Sequence, residues 1–126
     1  MVHSSYDASG ARRGDPILKV VFYRSQSGNE PVREWLLSLR RADRRTVGRD
    51  VKTVQYGWPL GMPLIRKLAP RLWEVRSNVT GGTARVVFTV DGQVMVLLHG
   101  FAKKSRKMPV LDLETARARL ARLDEE

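Results

Sequence analysis

The sequence predicts one α+β domain, in which an N-terminal strand and a helical hairpin pack on an antiparallel sheet and a C-terminal helix follows. Three observations predict this fold. Two segments in the first half repeat apolar residues at helical spacing, and three later segments have the composition of strands. Turn signals separate those three segments closely enough for hairpins. The predicted order of elements is β-α-α-β-β-β-α.

The N-terminal region divides into a tail and a strand. Residues 1–16 are rich in Ser, Gly, Arg and Asp and show no apolar period, so we expect a mobile tail. Residues 17–23 are β-branched and aromatic, which predicts the first strand. A chain of 126 residues is long enough for one modest core. We therefore expect a single domain over residues 17–126.

Two helices are predicted next. Asn29 and Pro31 mark a helix start, and a short break near Ala42 separates the two helices. The apolar face of the first helix comprises Val32, Trp35, Leu36 and Leu39, and that of the second comprises Val47, Val51 and Val54. The opposite face of the second helix carries Arg44, Arg45, Arg49 and Lys52. So short a connection predicts a helical hairpin lying on the sheet.

The second half is predicted to be a meander followed by a helix. Residues 57–70 are assigned to a loop because of their Gly and Pro content. Strands are predicted at residues 72–79, 83–90 and 93–101. Alternation places Arg76 and Arg85 on the same mixed face of neighbouring strands, while the other face is apolar. The C-terminal helix is predicted from the spacing of Leu113, Ala116, Leu120 and Leu123.

Composition restricts the class of protein. The net charge of +10 and the pI near 10.8 favour an anionic partner, with nucleic acid ahead of a membrane surface. With no cysteine, neither disulfides nor a thiolate zinc site is possible, and two histidines make a histidine-built site unexpected. No apolar run approaches the ~20 residues of a membrane span. We expect a cytoplasmic protein without metal or cofactor.

The most informative stretch runs from residue 93 to residue 109. An apolar run at residues 94–98 gives way to four cations, with His99 and Gly100 at the transition. The four cations are Lys103, Lys104, Arg106 and Lys107. Because a buried strand holds whatever follows it at a fixed point on the fold, this pattern is typical of a phosphate-facing site.

Several phrases together resemble a known family. They are Lys67-Leu68, the run from Leu72 to Arg76, the run from Ala84 to Phe88, and the run from Leu98 to Ser105 with Pro109 beyond it. Over residues 18–123 these resemble the RelE/ParE superfamily of type II toxin–antitoxin toxins, in its HigB-like, phage-derived branch. The resemblance implies a RelE-like fold and an mRNA interferase that cuts messenger RNA in the ribosomal A site. It also implies a helix-turn-helix antitoxin, and messenger and ribosomal RNA of the 70S ribosome, as partners.

Metal-free RNA cleavage sets the chemical requirements. The RNA 2′-hydroxyl attacks its own adjacent phosphate, which requires a base, cations around the phosphorane and a proton donor for the leaving 5′-oxygen. We predict Arg76, Arg85 and Lys104 on the scissile phosphate, and Lys103 or His99 in proton transfer. Flanking phosphates are assigned to Arg66, Lys67, Arg71, Arg106 and Lys107.

Other interpretations remain open at this point. A ParE-like inhibitor of DNA gyrase shares the fold, and a nucleic-acid-binding module without catalysis fits the charge. Arg76 and Arg85 could pair with Glu74 or a C-terminal carboxylate, and the basic cluster could be a solvated turn. Alternation groups His99 with Met95, Leu97 and Phe101, which is the pattern of a core residue. The three tryptophans fit the core, although Trp58, in the loop, is also a candidate for stacking on a base.

Overall fold

The computed structural model describes residues 14–103 and 107–126, and it confirms the α+β class. The elements are β1 (Lys19–Phe22), α1 (Pro31–Ser38), α2 (Arg41–Gly57), β2 (Ile65–Ala69), β3 (Leu72–Val79), β4 (Gly82–Asp91), β5 (Val94–Lys103) and α3 (Val110–Asp124). The strands form one sheet in the order β1-β5-β4-β3-β2. Strands β3, β4 and β5 are antiparallel as predicted, and β2 joins them antiparallel, but β1 pairs parallel with β5, so the sheet is mixed.

Strand β2 corrects the prediction of a loop over residues 57–70. It pairs with the first half of β3, with Ile65 opposite Val75 and Lys67 opposite Trp73. Glycine and proline dominate the local sequence, but they lie on either side of the strand. The strand forms because its backbone completes the ladder of β3 and Ile65 is buried in the core. An edge strand of this kind depends on its partner more than on its own pattern.

The molecule has three layers, with helices on both faces of the sheet. Helices α1 and α2 cover one face, through a cluster that includes Val32, Val47, Val51, Val54, Val75, Val86, Phe88, Met95 and Leu97. Helix α3 covers the other, through Ala116, Leu113, Leu120 and Leu123 against Leu72, Val87, Val96, Leu98 and Phe101. The face predicted as mixed therefore carries a core of its own. Central strand β4 is consequently buried from Ala84 to Thr89.

The helical hairpin follows the prediction closely. The break between its helices falls at residues 39–40, slightly before the predicted position, so Asp43 lies inside α2. Asp43 is buried and accepts hydrogen bonds from the backbone N–H and hydroxyl of Thr80, at 3.0 and 3.1 Å. This contact holds the start of α2 against the β3–β4 turn. The three tryptophans pack on the core, and Trp58 meets Trp73 edge to face at 5.1 Å.

A β-bulge in β5 decides which way His99 points. The register shifts between the pairs Val87–His99 and Phe88–Leu97, so Leu98 is an extra residue in β5. A bulge resets the alternation of side chains. Leu97 packs under the helical hairpin, whereas Phe101 packs in the α3 cluster. The predicted grouping of His99 with Met95 and Leu97 is therefore wrong, whereas its grouping with Phe101 is confirmed, since the two rings stack with their centres 5.5 Å apart. His99 faces α3.

Candidate active site

Three cations from consecutive strands meet at one end of the sheet, on the face that α3 partly covers. Arg76 in β3 lies directly opposite Arg85 in β4. Arg85 in turn lies opposite Phe101 in β5, and Lys103 follows two positions later on the same face. We refer to Arg76, Arg85 and Lys103 as the cationic end. The structure thus brings together three of the five residues predicted to be catalytic.

A buried carboxylate lies beneath the two arginines. Glu74 is 0% exposed, and its oxygens are 3.9 Å from Arg76 Nε and 4.0 Å from Arg85 Nη1. These distances exceed hydrogen-bond length. Among the described residues, neither oxygen of Glu74 has a hydrogen-bond partner. Burial raises the pKa of Glu74, while the charges of Arg85, Arg76 and, from β2, Arg66 oppose that rise.

The two arginines differ in how far a ligand can reach them. The side chain of Arg85 is 1% exposed and that of Arg76 is 24% exposed. The guanidinium carbon of Arg85 lies 6.0 Å from the centre of the Phe101 ring, within cation–π range. A phosphate arriving from solvent would therefore contact Arg76 directly, and Arg85 would contribute its charge from below.

His99 is bound on both ring nitrogens. Its Nε2 is 2.6 Å from Asp112 Oδ1, and its Nδ1 is 3.3 Å from Arg119 Nη1. Because a guanidinium only donates, Nδ1 acts as the acceptor and the ring proton lies on Nε2, which donates to Asp112. Arg119 Nη1 also donates to the carbonyl of Leu98 at 2.7 Å, within the bulge. His99 thus fastens β5 to α3.

Lys103 shares the carboxylate that holds His99. Its ammonium is 3.7 Å from Asp112 Oδ2, and its side chain remains half exposed. Asp112 itself is only 15% exposed. Lys103 therefore stands at the open border of the site with one carboxylate beside it, while Arg76 and Arg85 share the carboxylate of Glu74.

A groove gives access to Arg76 from the sheet edge. Strand β2 pairs with β3 only as far as Val75, and the backbone N–H of Arg76 donates to the carbonyl of Leu64 at 2.9 Å, so beyond Arg76 no strand of the described residues covers this edge of β3. The groove there has a volume of about 430 Å³. It is lined by Thr46, Asp50, Pro63, Leu64, Arg76, Asn78 and Thr83. Arg76 thus borders both the groove and the carboxylate of Glu74.

Comparison with known protein families finds a match over most of the chain. The family model described as phage derived protein Gp49-like (DUF891) matches residues 34–121, more than half of the chain. The chain belongs to this family. The Gp49-like family is associated with RelE- and HigB-type toxins, and the matched region includes the whole cationic end and Asp112. No curated protein matches the chain.

The other predicted site residues of this Gp49-like protein are spread over the fold. Arg66 lies beside Glu74, but Lys67 lies on the opposite face, with Nζ 5.7 Å from the centre of the Trp73 ring. Arg71 makes two hydrogen bonds to Asp124, at 2.9 and 3.0 Å. It lies at the far end of β3, roughly 16 Å along the strand from Arg76. These three residues therefore do not form one surface.

The remaining predictions fall at or inside the gap in the description. Lys107 is exposed at the start of the segment that leads into α3. Lys104 and Arg106 lie outside the described residues, so their predicted roles stay predictions. Within residues 14–103 and 107–126, no group of three or more His, Cys, Asp and Glu side chains could hold a metal ion. None of the helices described there is long and apolar enough to cross a bilayer.

The sequence did not identify Asp112 and Arg119 as part of this region, and it named Glu74 only as a possible partner of Arg76 and Arg85. Strand alternation already placed Glu74 on the same face as Arg76, but gave no sign of its complete burial. Asp112 and Arg119 are seven residues apart, which puts them on one face of a helix. That spacing was a usable signal. Their convergence on His99 was not predictable, because it depends on the bulge at Leu98.

Proposed function

We propose that this chain is the toxin of a type II toxin–antitoxin pair and an mRNA interferase, cleaving messenger RNA in the ribosomal A site. The observation that carries the proposal is the convergence of Arg76, Arg85 and Lys103 at one end of one face of the sheet. The toxin association of the Gp49-like family supports it. The proposed reaction is the metal-independent one, in which the RNA 2′-hydroxyl is the nucleophile.

The cationic end meets the electrostatic requirement of that reaction. As the 2′-oxygen attacks, negative charge builds up on the non-bridging oxygens of the phosphate. In this proposal Arg76 donates to one of those oxygens, and the charge of Arg85 acts from beneath. A buried cation interacts more strongly with an anion than an exposed one does, since less water screens it. Lys104, the third cation predicted on this phosphate, keeps that role as part of the proposal.

Proton transfer is assigned to Lys103 rather than to His99. Both nitrogens of His99 are occupied, by Asp112 and by Arg119, so neither can exchange a proton with RNA in this arrangement. The Lys103 ammonium is half exposed and has three N–H donors. It can therefore contact a substrate while it keeps Asp112 as a partner.

A second cationic surface supports an RNA partner. The exposed face of α2 carries Arg41, Arg45, Arg49 and Lys52. In the part of the chain that the structure describes, no carboxylate lies within 4.0 Å of these four side chains. Like charges four residues apart destabilise a helix slightly. An unneutralised row of this kind suits a polyanion, and we propose that it contacts ribosomal RNA while messenger RNA enters the site.

The test is cleavage of messenger RNA on purified 70S ribosomes, read by mapping the new 5′ ends. We expect cuts within the A-site codon. Arg76→Ala should reduce the rate by about 100-fold or more, as loss of a charge-stabilising donor does. Arg33→Ala is the matched control, because Arg33 is exposed on α1 and pairs only with its neighbour Glu30 among the described residues.

The same preparation tests the rivals. Inhibition of DNA gyrase with intact messenger RNA would replace this proposal with the ParE-like function. Salt-sensitive RNA binding without any cleavage would leave a non-catalytic nucleic-acid-binding module. The antitoxin belongs to the proposal too, as a helix-turn-helix protein whose binding suppresses cleavage.

A further inference from the structure

Four side chains form a continuous chain of contacts from α3 to the open border of the site. Arg119 donates to the carbonyl of Leu98 at 2.7 Å and lies 3.3 Å from His99 Nδ1. His99 Nε2 is 2.6 Å from Asp112 Oδ1, and Asp112 Oδ2 is 3.7 Å from Lys103 Nζ. His99 contacts Arg119 through Nδ1 and Asp112 through Nε2. Asp112 in turn contacts His99 through Oδ1 and Lys103 through Oδ2. The orientation of the Asp112 carboxylate, and with it the Lys103 ammonium, is therefore set from within the fold.

Asp112 is placed differently from the other acidic residues of α3. It is 15% exposed, and it is the only acidic residue in the first turn of α3, where the helix dipole favours a negative charge. Glu114, two residues later, is exposed. An interaction with the helix dipole alone would not explain why Asp112 lies 2.6 Å from His99 and also faces Lys103.

We propose that Asp112 is a positioning residue that holds the Lys103 ammonium as proton donor to the leaving 5′-oxygen of RNA; this rests on the proposed ribonuclease function. In that step the 2′-oxygen bonds to phosphorus while the bond from phosphorus to the 5′-oxygen breaks. The 5′-oxygen takes a proton from Lys103 Nζ, the 2′-hydroxyl proton passes to water, and a 2′,3′-cyclic phosphate remains.

Charge explains why the lysine requires such a residue. Lys103 is followed at once by Lys104 and then by Arg106 and Lys107, and Arg76 and Arg85 lie on the adjoining strands. Like charges repel the ammonium and favour its dispersal into solvent. A fixed carboxylate at 3.7 Å opposes that repulsion and restricts where the flexible side chain goes. Asp112 does this without occupying the phosphate position, since it approaches from α3.

The experiment compares two substrates with the ribosome-programmed wild-type protein and three variants. One RNA has the natural 5′-oxygen at the cleavage site, and the other has a bridging 5′-sulfur, which leaves as a thiolate without being protonated. Asp112→Asn should lower kcat on the oxygen substrate by about tenfold or more, with KM unchanged, as weakening of general acid catalysis does. On the sulfur substrate its rate should approach that of the wild type. Asp112→Glu, which keeps the carboxylate, should recover part of the lost rate.

Glu114→Gln is the matched control, because it makes the same charge change on the same helix at an exposed position. It should leave both rates unchanged. Equal losses of Asp112→Asn on both substrates, or no loss relative to Glu114→Gln, would overturn the proposal. Far-ultraviolet circular dichroism of each variant separates these outcomes from unfolding. If wild-type protein cleaves neither RNA, the ribonuclease function itself fails, which is a different result from failure of the Asp112 role.

Discussion

The carboxylate of Glu74 lies 4.0 Å from the guanidinium of Arg85, and both side chains are almost completely buried. A buried ion pair at this separation has lost its hydration without gaining a direct hydrogen bond. Arg76 lies at a similar distance on the other carboxylate oxygen and is partly exposed. The arginine that a phosphate would meet is therefore linked, through one carboxylate, to an arginine in the core.

Removing that carboxylate should be costly. Glu74→Ala would leave the charge of buried Arg85 without the carboxylate that faces it, so we expect the free energy of unfolding to fall by about 3–5 kcal/mol. Urea unfolding followed by circular dichroism measures the change. Glu34→Ala, at an exposed position of α1, should change it by less than about 0.5 kcal/mol. Similar effects of the two substitutions would contradict the importance of the buried pair.

Stability should also depend on pH through Glu74. Burial raises its pKa above the ordinary 4.5, so the folded chain binds this proton more tightly than the unfolded chain. The contribution of Glu74 to the free energy of unfolding is therefore most favourable in acid, and it declines as pH rises from near 4.5 through the pKa of the folded state. Glu74→Gln cannot titrate. The stability of the wild type minus that of this variant should grow on acidification across that window, and a difference independent of pH would refute the prediction.

Substitution by alanine should have opposite effects on stability at Gly100 and at Gly48. A Cβ on Gly100 would stand 2.7 Å from Cζ3 and 2.9 Å from Cδ2 of Trp35, too close for any side chain. Gly100→Ala should therefore destabilise the fold by about 1–3 kcal/mol through overpacking. Gly48, in the middle of α2, has nothing within 4 Å of its Cβ position. Gly48→Ala should stabilise by about 1 kcal/mol, since alanine favours helix. Thermal unfolding of the two variants checks both signs.

The pair Arg71–Asp124 should stabilise the docking of α3 only above acidic pH. The hydrogen bond from Arg71 is the main cause that lowers the pKa of Asp124 below its ordinary 3.8. Its stabilising effect is therefore complete above 3.8 and is lost as pH falls through the lower, folded pKa. Asp124→Asn should lower the free energy of unfolding slightly at neutral pH, and in strong acid the variant and the wild type should be equally stable. Glu125→Gln, its exposed neighbour, should show no such convergence.

The cationic face of α2 should determine how RNA binding responds to salt. Replacing Arg41, Arg45, Arg49 and Lys52 with glutamine removes up to four phosphate contacts. Affinity for RNA decreases with salt, and each phosphate contact contributes roughly 0.7–0.9 to the steepness of log affinity against log salt concentration. The plot for this variant should therefore be less steep by about 3. A control variant with glutamine at Arg24, Arg33, Arg117 and Arg122 has the same net charge. Equal slopes for the two variants would assign the effect to total charge instead.

Local pattern determined much of this structure. The buried faces of α1 and α2 follow helical spacing, and the hairpins joining β3, β4 and β5 follow glycine-containing turns. The meeting of Arg76 with Arg85 was also predictable, since it requires only alternation and antiparallel pairing. These features depend on residues close together in the chain, and periodicity records such relationships directly.

What the sequence alone determined was therefore β3, β4, β5 and α3 around the site, together with the cations that these strands carry. Tertiary structure alone decided the pairing of β2, the parallel placement of β1, the full burial of Glu74 and Arg85, and the turn of His99 toward Asp112. Each of these depends on backbone ladders and burial between segments far apart in the chain. A one-residue bulge at Leu98 reversed the direction of a side chain, and its cause lies in the pairing with β4 rather than in the pattern of β5 itself.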